Sequence, residues 1–320
     1  MRRIALLALV VLACDGSSSP NPGPGGPSDG SAPSGWRAAV GGGGLVLQTY
    51  DDQTWSARTV APVDLYGVTC VSTLVGWAVG ANGTIAHTTD GGSTWSMQDS
   101  HLSASLRAVR FADAQHGVVV GDGGALAFTS DGATWTPVSA SSDDLTSVAA
   151  TSAGVFYVTT AGGSLLRSTD WGATYTTTLT MGSTVVSALT AAAATTTLVI
   201  VGDMLGHLWT SADGETFTVE GTMMAPVTSI SLAGEWGQSG SWSSITALAV
   251  GEQGLIESRD AYGSWKPMAS GTSANLHAVL VTGTYGYAAG DDGTLLRFDG
   301  STWTGVTTQT TAALWSLDDL

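Results

Sequence analysis

The sequence predicts an all-β fold, a seven-bladed β-propeller with four-stranded blades. Its 320 residues include 43 glycines and 12 tryptophans, but only one lysine and five glutamates. Long straight-chain residues cover most helical surfaces, so a chain almost without them is poorly suited to forming helices. A unit of about forty residues also recurs along the chain, and each copy ends at an aromatic residue.

The repeat is clearest in the aromatic residues that close its copies. The second and third copies read GWAVGANGTIAHTTDGGSTW at 76–95 and GVVVGDGGALAFTSDGATW at 117–135. Successive closing aromatics are 40, 40, 40, 42, 48 and 38 residues apart. Seven copies with this period predict seven blades, because propeller blades recur at this spacing. The closing residues are Trp55, Trp95, Trp135, Tyr175, Phe217, Trp265 and Trp303.

Each copy has the pattern of four short strands. The first strand alternates apolar and small residues, as in Leu106-Arg-Ala-Val109, and the second ends in Val-Gly. A Gly-x-x-Gly turn follows, in which glycine supplies the positive φ angles that tight hairpins need. The third strand runs into Asp-Gly, and the fourth begins at the closing aromatic. We therefore expect antiparallel blades with no helices between them.

The two ends of the propeller are expected to close the ring together. The first copy begins at Trp36 and lacks a leading strand, whereas Ala313-Leu-Trp-Ser-Leu317 has the pattern of that missing strand. We expect residues 313–318 to pair beside residues 36–41. Such pairing would remove the exposed strand edges that promote aggregation.

Residues 1–13 have the pattern of a secretory signal peptide. Two arginines precede an apolar run that would span about 15 Å as a helix, half of a hydrocarbon core. The run ends in Val-Leu-Ala-Cys, which resembles a bacterial lipobox. This resemblance implies that Cys14 is acylated, with palmitate or a related fatty acid, and becomes the N-terminus of the mature lipoprotein. The alternative is an ordinary signal peptide followed by an incidental cysteine.

Residues 14–35 begin with this cysteine and continue as a Pro-, Gly- and Ser-rich linker. We expect the linker to be disordered, because it contains nothing that could be buried. The propeller then occupies residues 36–320. A lipid on Cys14 would hold it in the bacterial cell envelope, on the extracytoplasmic side. The sequence leaves open whether the membrane is the inner or the outer one.

The turn after the third strand resembles a known motif. Residues 88–95, TTDGGSTW, and 168–175, STDWGATY, resemble the Asp-box, or bacterial neuraminidase repeat. With Gly-Trp-Ala-Val-Gly before the box, the pattern is similar to photosystem II stability/assembly-factor-like propellers. The resemblance implies structural aspartates that bind backbone N–H groups of their own turn, and aromatics that pack between blades. These aspartates are Asp90, Asp131, Asp170, Asp213, Asp260 and Asp299.

Catalysis is not expected. Resemblance to sialidases, which share the Asp-box, would imply three arginines around a carboxylate and a Tyr–Glu nucleophile pair, but no arginine here has the Arg-Ile-Pro context. No Cys/His metal spacing or phosphate-binding loop is present either, so we expect no catalytic residue, metal or cofactor. The net charge of −16 argues against nucleic-acid binding. A carbohydrate-binding or glycoside hydrolase propeller remains the alternative.

One column of the repeat varies while its neighbours stay constant. The second residue of each leading strand is Tyr66, Arg107, Thr146, Ser187, Thr228, His277 or Trp315, and a small residue always follows it. Small residues suit crowded inner strands, so the varied column should lie near the mouth of the central channel. Tyr66, Arg107, His277 and Trp315 are candidates for a recognition surface. The alternative is simple tolerance of exposed strand starts.

Two further features are candidate binding sites. The Gly-x-x-Gly turns carry an acidic rim that could attract a basic partner, hold calcium weakly, or only keep the turns solvated. A Gly/Ser-rich insertion in the sixth copy carries Trp236 and Trp242, which either bind a ligand or fold back on the blade. By strand order, this insertion should lie on the face opposite the rim. The rim residues are Asp122, Asp203, Glu252, Asp291 and Asp292.

The sequence therefore predicts a lipid-anchored propeller that serves as a non-catalytic protein-binding or assembly scaffold. We expect a monomer that contacts the membrane only through its anchor. A protein is the expected partner, and a glycan is the alternative.

Overall fold

The computed structural model describes residues 10–11, 36–51, 54–180, 185–192, 197–232, 245–281 and 286–318. For residues 10–11, 185–192 and 197, only the backbone is described. Cys14, Trp236 and Trp242 lie outside the described residues. Within the described ranges, no helix is long and apolar enough to cross a membrane.

Seven antiparallel four-stranded sheets form a ring, which confirms the predicted seven-bladed propeller. Going from the channel outwards, the first four blades comprise β29 (Leu314–Asp318), β2 (Arg37–Gly41), β3 (Leu45–Thr49) and β4 (Ser56–Thr59); β5 (Leu65–Cys70), β6 (Gly76–Gly80), β7 (Thr84–Thr88) and β8 (Ser96–Asp99); β9 (Leu106–Phe111), β10 (Gly117–Gly121), β11 (Leu126–Thr129) and β12 (Thr136–Pro137); and β13 (Leu145–Ala150), β14 (Phe156–Thr160), β15 (Ser164–Ser168) and β16 (Thr176–Thr180).

The remaining blades follow in the same order. They comprise β17 (Val185–Ala192), β18 (Thr197–Asp203), β19 (His207–Ser211) and β20 (Thr218–Thr222); β21 (Val227–Leu232), β22 (Ile245–Gly251), β23 (Ile256–Asp260) and β24 (Trp265–Met268); and β25 (Leu276–Val281), β26 (Gly286–Gly290), β27 (Leu295–Phe298) and β28 (Trp303–Gly305). The sixth blade has an additional strand, β1 (Val10–Val11), which pairs in parallel with β21. Short 3₁₀ turns occupy Gly42–Gly44, Ala81–Gly83, Asp122–Gly124, Glu252–Gly254 and Asp291–Gly293.

The strands give the ring two different faces. Each inner strand begins beside the turn between the second and third strands; Leu65, for example, pairs with Gly80. This end is called the mouth face below. The turns between the third and fourth strands carry the Asp-boxes and lie at the other end, which is called the Asp-box face.

Crowding of the inner strands explains the invariant small column. A Cβ added to Gly67 on β5 would lie 3.1 Å from both the Cα of Ala108 and the carbonyl oxygen of Arg107, on the neighbouring inner strand. At two positions the small residue is a serine whose hydroxyl joins neighbouring inner strands. Ser316 Oγ accepts a hydrogen bond from the Val68 N–H at 2.9 Å, and Ser229 Oγ accepts one from Val279 at 3.2 Å.

The closing aromatics pack between neighbouring blades, as predicted. Trp55 of the first blade lies edge-on to Tyr287 of the seventh, with their ring centroids 5.9 Å apart. Trp135 of the third blade donates a hydrogen bond from Nε1 to Gln98 of the second, at 2.9 Å. Because the buried clusters span adjacent blades, each blade completes its core only against its neighbours.

The predicted ring closure is also confirmed. β29 pairs antiparallel with β2, so that Ala39 lies opposite Leu317 and Val40 opposite Ser316. The buried carboxylate of Asp318 accepts a hydrogen bond from the Cys70 N–H at 2.7 Å. The same carboxylate lies 3.7 Å from the buried guanidinium of Arg110 on the third blade. The last inner strand thus ties together the first three blades.

Deleting residues 311–320 should destabilise the protein strongly. The deletion exposes the edges of β2 and β5 and removes Leu314 and Leu317, both fully buried, which together contribute roughly 3–6 kcal/mol. We expect a large fall in the thermal midpoint and aggregation during purification. A chain ending at Asp318, which retains β29, is the control. Equal stability of the two chains would show that β29 is dispensable for closure.

Candidate functional site

Four residues of the varied column form one continuous arc at the channel mouth. His277, Trp315, Tyr66 and Arg107 begin the inner strands of the seventh, first, second and third blades, which are consecutive around the ring. The rings of His277 and Trp315 lie 4.5 Å apart, and the guanidinium of Arg107 lies 4.6 Å from the ring centroid of Tyr66. These four residues are called the mouth arc below. All four are partly exposed.

An ion pair fixes the Arg107 end of the arc. Arg107 donates from Nε and Nη2 to the two carboxylate oxygens of Asp122, at 2.6 and 2.7 Å. Burial alone would lower the pKa of Arg107, but the bonds to Asp122 raise it above its ordinary value. Burial raises the pKa of Tyr66, so its phenol is neutral at physiological pH. The cation and its aromatic platform are therefore already in place before any partner arrives.

A second contact between the varied column and a turn fixes the His277 end. His277 Nε2 lies 2.7 Å from Oδ1 of Asp291, and Asn275 donates from Nδ2 to the other oxygen at 3.0 Å. The His277 side chain is 12% exposed. The His277 and Arg107 contacts use equivalent positions in their repeats, namely the second residue of the leading strand and the first residue of the following turn.

The opposite half of the mouth is different in character. Thr228 donates to the carbonyl oxygen of Leu276 at 2.6 Å, and the Thr146 hydroxyl lies 2.7 Å from that of Thr159. The side chain of Ser187 is outside the described residues. Because the two threonine hydroxyls bond within the fold, the aromatic and ionic groups are confined to one side. The mouth is therefore asymmetric although the ring is built from repeats.

The predicted acidic rim needs one correction. Asp203 is fully buried instead of lining the rim, because its turn has one more residue than Gly-x-x-Gly and lets the side chain fold inwards. Its carboxylate accepts hydrogen bonds from the N–H groups of Leu205 and His207, and it lies 2.9 Å from His207 Nδ1.

The other four rim residues lie at the mouth face. Asp122 and Asp291 are engaged by the mouth arc, whereas Asp292 and Glu252 lie on exposed and half-exposed turns. Across the described part of the chain, no cluster of three or more His, Cys, Asp or Glu side chains is arranged to hold a metal ion.

The Asp-box aspartates accept hydrogen bonds from within their own turns. Asp131 accepts hydrogen bonds from the N–H groups of Ala133 and Thr134, at 2.8 and 2.7 Å, and from the Thr129 hydroxyl at 3.0 Å. These bonds lower the pKa of Asp131 to about 2. The equivalent pKa values of Asp90, Asp170, Asp213, Asp260 and Asp299 are also lowered by hydrogen bonds from their turns.

Sequence reasoning missed a seventh such aspartate in the degenerate first copy. Asp51 accepts hydrogen bonds from the Thr54 N–H at 2.7 Å and from the Thr49 hydroxyl at 3.1 Å. The glycine that normally follows the aspartate is replaced by Asp52, which hides the motif. The available signal was position, since Asp51 precedes the closing Trp55 at nearly the usual spacing.

Comparison with known proteins agrees with this architecture. A family model described as photosynthesis system II assembly factor YCF48 matches residues 47–142. No curated protein matches the sequence. The structure of YCF48 bound to D1 peptide is similar, with a TM-score of 0.64 and 18% identity over 82% of this chain and 88% of that chain.

Two other solved propellers are also similar. YCF48 from Cyanidioschyzon merolae has a TM-score of 0.58 and 15% identity, over 78% of this chain and 87% of that chain. The WD40 propeller domain of Doa1 has a TM-score of 0.63 and 13% identity, over 79% of this chain and 85% of that chain. The chain is thus a propeller that resembles photosystem II assembly factors.

Replacing Asp131 with alanine should lower the free energy of unfolding at neutral pH. It should also make that free energy less dependent on pH in the acidic range. Because the folded pKa of about 2 lies below the ordinary 3.8, this carboxylate stabilises the fold above about pH 4 and loses its effect as pH falls towards 2. We expect a loss of about 1 kcal/mol at pH 7. Denaturant unfolding at several pH values measures both effects.

Asp292→Asn is the control for this experiment, because Asp292 lies on an exposed turn with φ 54°, a conformation that asparagine tolerates. If Asp131→Ala loses the same free energy at pH 7 and at pH 2, the turn is not held by the ionised carboxylate.

Proposed function

We propose that this protein is a non-catalytic scaffold that binds a protein partner at the mouth arc. The convergence of His277, Trp315, Tyr66 and Arg107 on one side of the channel carries the proposal. If the column varied only because exposed strand starts tolerate any residue, its large members would not be expected to fall on four consecutive blades. The small members occupy the other three.

The arc has the physical character of a protein-binding hot spot. Tryptophan, tyrosine and arginine are the side chains that most often dominate the energetics of protein interfaces. Here they project from inner strands that are held on both sides by neighbouring blades, and the ion pair with Asp122 orients Arg107. Little side-chain entropy then remains to be lost on binding, which favours affinity.

The paired state of the arc argues for recognition instead of catalysis. Both oxygens of Asp122 are bonded to Arg107, and both oxygens of Asp291 have nitrogen partners on His277 and Asn275. Asp144, next to Asp143 in the chain, accepts a hydrogen bond from the Gly123 N–H at 2.7 Å. These carboxylates thus serve the fold and the arc.

The likeness to other propellers supports a protein partner. One similar structure is of YCF48 bound to D1 peptide, and another is a WD40 domain. Our proposal takes from these proteins only that a propeller of this architecture serves to bind a protein chain. The photosynthetic role is not part of the proposal.

Substitution of Trp315 or Arg107 by alanine should abolish capture of the partner. We expect at least 2 kcal/mol of lost binding free energy, or roughly 30-fold in affinity, because tryptophan and arginine are among the side chains that most often dominate the energetics of protein interfaces. The measurement is affinity capture from the native host with quantitative mass spectrometry. Circular dichroism and thermal melting would confirm that each variant is folded.

Tyr262→Ala is the matched control, since Tyr262 is a 95% exposed aromatic residue on the Asp-box face. Proteins retained by the wild type and by Tyr262→Ala but lost from both arc variants would be partners of the mouth. Identical captured sets for all variants would refute the proposed site. A glycan array run in parallel tests the carbohydrate alternative.

We also propose that the propeller is tethered to a membrane through acylated Cys14, on the extracytoplasmic side of a bacterial cell envelope. Support comes from the apolar run that ends at this cysteine and from the Pro-, Gly- and Ser-rich linker at 15–34. Such a linker has a root-mean-square span of roughly 25 Å. That distance lets the mouth face turn towards a partner in or near the membrane.

Cys14→Ser should abolish acylation and release the protein from membranes. We expect the wild type to incorporate a clickable fatty acid and to partition into detergent, whereas the serine variant is found in the aqueous phase. Cys70→Ser is the control, because Cys70 is a buried residue of the propeller. Fatty-acid incorporation that persists in Cys14→Ser would contradict the anchor.

A further inference from the structure

The two faces of the ring differ in their content of cationic side chains. Of the described arginines and the single lysine, only Arg107 lies at the mouth face. The others lie towards the Asp-box face, because they begin second strands, end first or third strands, or contact Asp-box turns. Lys266 Nζ, for example, lies 3.1 Å from the carboxylate of Asp260. This group comprises Arg37, Arg58, Arg110, Arg167, Arg259, Arg297 and Lys266.

Carboxylates, in contrast, are abundant around the mouth. They occupy the turns between second and third strands and the loops that lead into inner strands. The single cation among them is already neutralised by Asp122. The mouth face therefore carries the larger excess of negative charge, because seven cations on the Asp-box face offset much of the charge of that face's own carboxylates. Its described carboxylates outside the buried turn of Asp203 are Asp64, Asp99, Asp122, Asp143, Asp144, Glu252, Asp291 and Asp292.

Two aromatic rings lie at the centre of this negative surface. Tyr66 and Trp315 begin neighbouring inner strands, which are joined by the hydrogen bond between Val68 and Ser316. Tyr66 already carries the Arg107 cation over its face, so the mouth uses a cation–π contact within the fold. Trp315 is partly exposed and packs against His277, which leaves part of the indole open to a partner.

We propose, on the basis of the proposed function, that the partner presents a basic segment to this mouth. A lysine or arginine of that segment contacts the exposed indole of Trp315, and the carboxylates on the surrounding turns attract the rest of the segment. The proposal joins two independent features, a partly exposed aromatic platform and a face whose carboxylates are opposed by a single cation. An acidic segment or a nucleic acid would be repelled by the same carboxylates.

This chemistry accounts for the position of the exposed acids. Asp292 and Glu252 lie on the turns of the seventh and sixth blades, the former next to Asp291 of the arc. Neither carboxylate is needed to neutralise a cation of the mouth, because the one cation there, Arg107, is paired with Asp122. Charges at such rim positions mainly increase the rate of association and its dependence on salt.

A pair of synthetic peptides tests the proposal with the full chain. One peptide alternates lysine with serine, and the other is its glutamate counterpart; binding is followed by calorimetry and by the fluorescence of the protein. We expect the lysine peptide alone to bind, and Trp315→Ala to weaken its affinity at least tenfold, or about 1.4 kcal/mol. Tyr262→Ala should bind as the wild type does.

A matched pair of charge variants separates specific attraction from the general acidity of the chain. Asp292→Asn and Glu215→Gln each remove one exposed negative charge, but Glu215 lies on the Asp-box face. We expect only Asp292→Asn to weaken binding of the lysine peptide and to reduce its sensitivity to salt. Equal effects of the two variants, or an unchanged affinity in Trp315→Ala, would overturn the proposal.

The outcomes also distinguish this inference from the proposed function. If partner capture depends on Trp315 but the lysine peptide does not bind, the mouth is a protein site whose partner is not basic, and this inference alone fails. If neither capture nor peptide binding depends on Trp315, both fail. Tighter binding of the glutamate peptide would reverse the assigned charge of the partner.

Discussion

The close approach of seven inner strands around one channel is the constraint on which this structure depends. It admits only a small residue at one position of each strand, as the contacts of Gly67 show. The preceding residue lies at the channel mouth, where side chains as different as the partly exposed Trp315 and the buried Thr228 are accommodated. The repeat thus separates a position that must stay constant from one that is free to differ, and the mouth arc is built from the second.

Much of the fold could be predicted from the sequence because its determinants are local. Hairpins joined by Gly-x-x-Gly and Asp-box turns are each encoded within a few residues, so seven copies specify seven blades. Ring closure was also predictable, since the first copy lacks the strand that the last residues supply. Asp203 and Asp51 were harder, because a single inserted or substituted residue changes where a side chain can reach.

The site was only partly predictable. The column that contains Tyr66, Arg107, His277 and Trp315 could be found by aligning the copies, but their contacts depend on which blades are neighbours. One signal was available within the copies, at the first position of the turn after the second strand. The copy with Arg107 has Asp122 there and the copy with His277 has Asp291, whereas the copy with Tyr66 has Ala81. The uneven distribution of the cations between the two faces required strand directions as well as sequence, because it depends on which end of each strand holds the arginine or lysine.

The strand that closes the ring also supplies Trp315, and this has a consequence for biosynthesis. β29 is the last described strand to leave the ribosome, so every earlier stage of the nascent chain has a mouth without its central indole. A partner that recognises the complete arc cannot engage a partly made propeller. For the proposed binding site, competence to bind and completion of the fold are therefore reached in the same step, which would protect a partner from capture by truncated or unfinished chains.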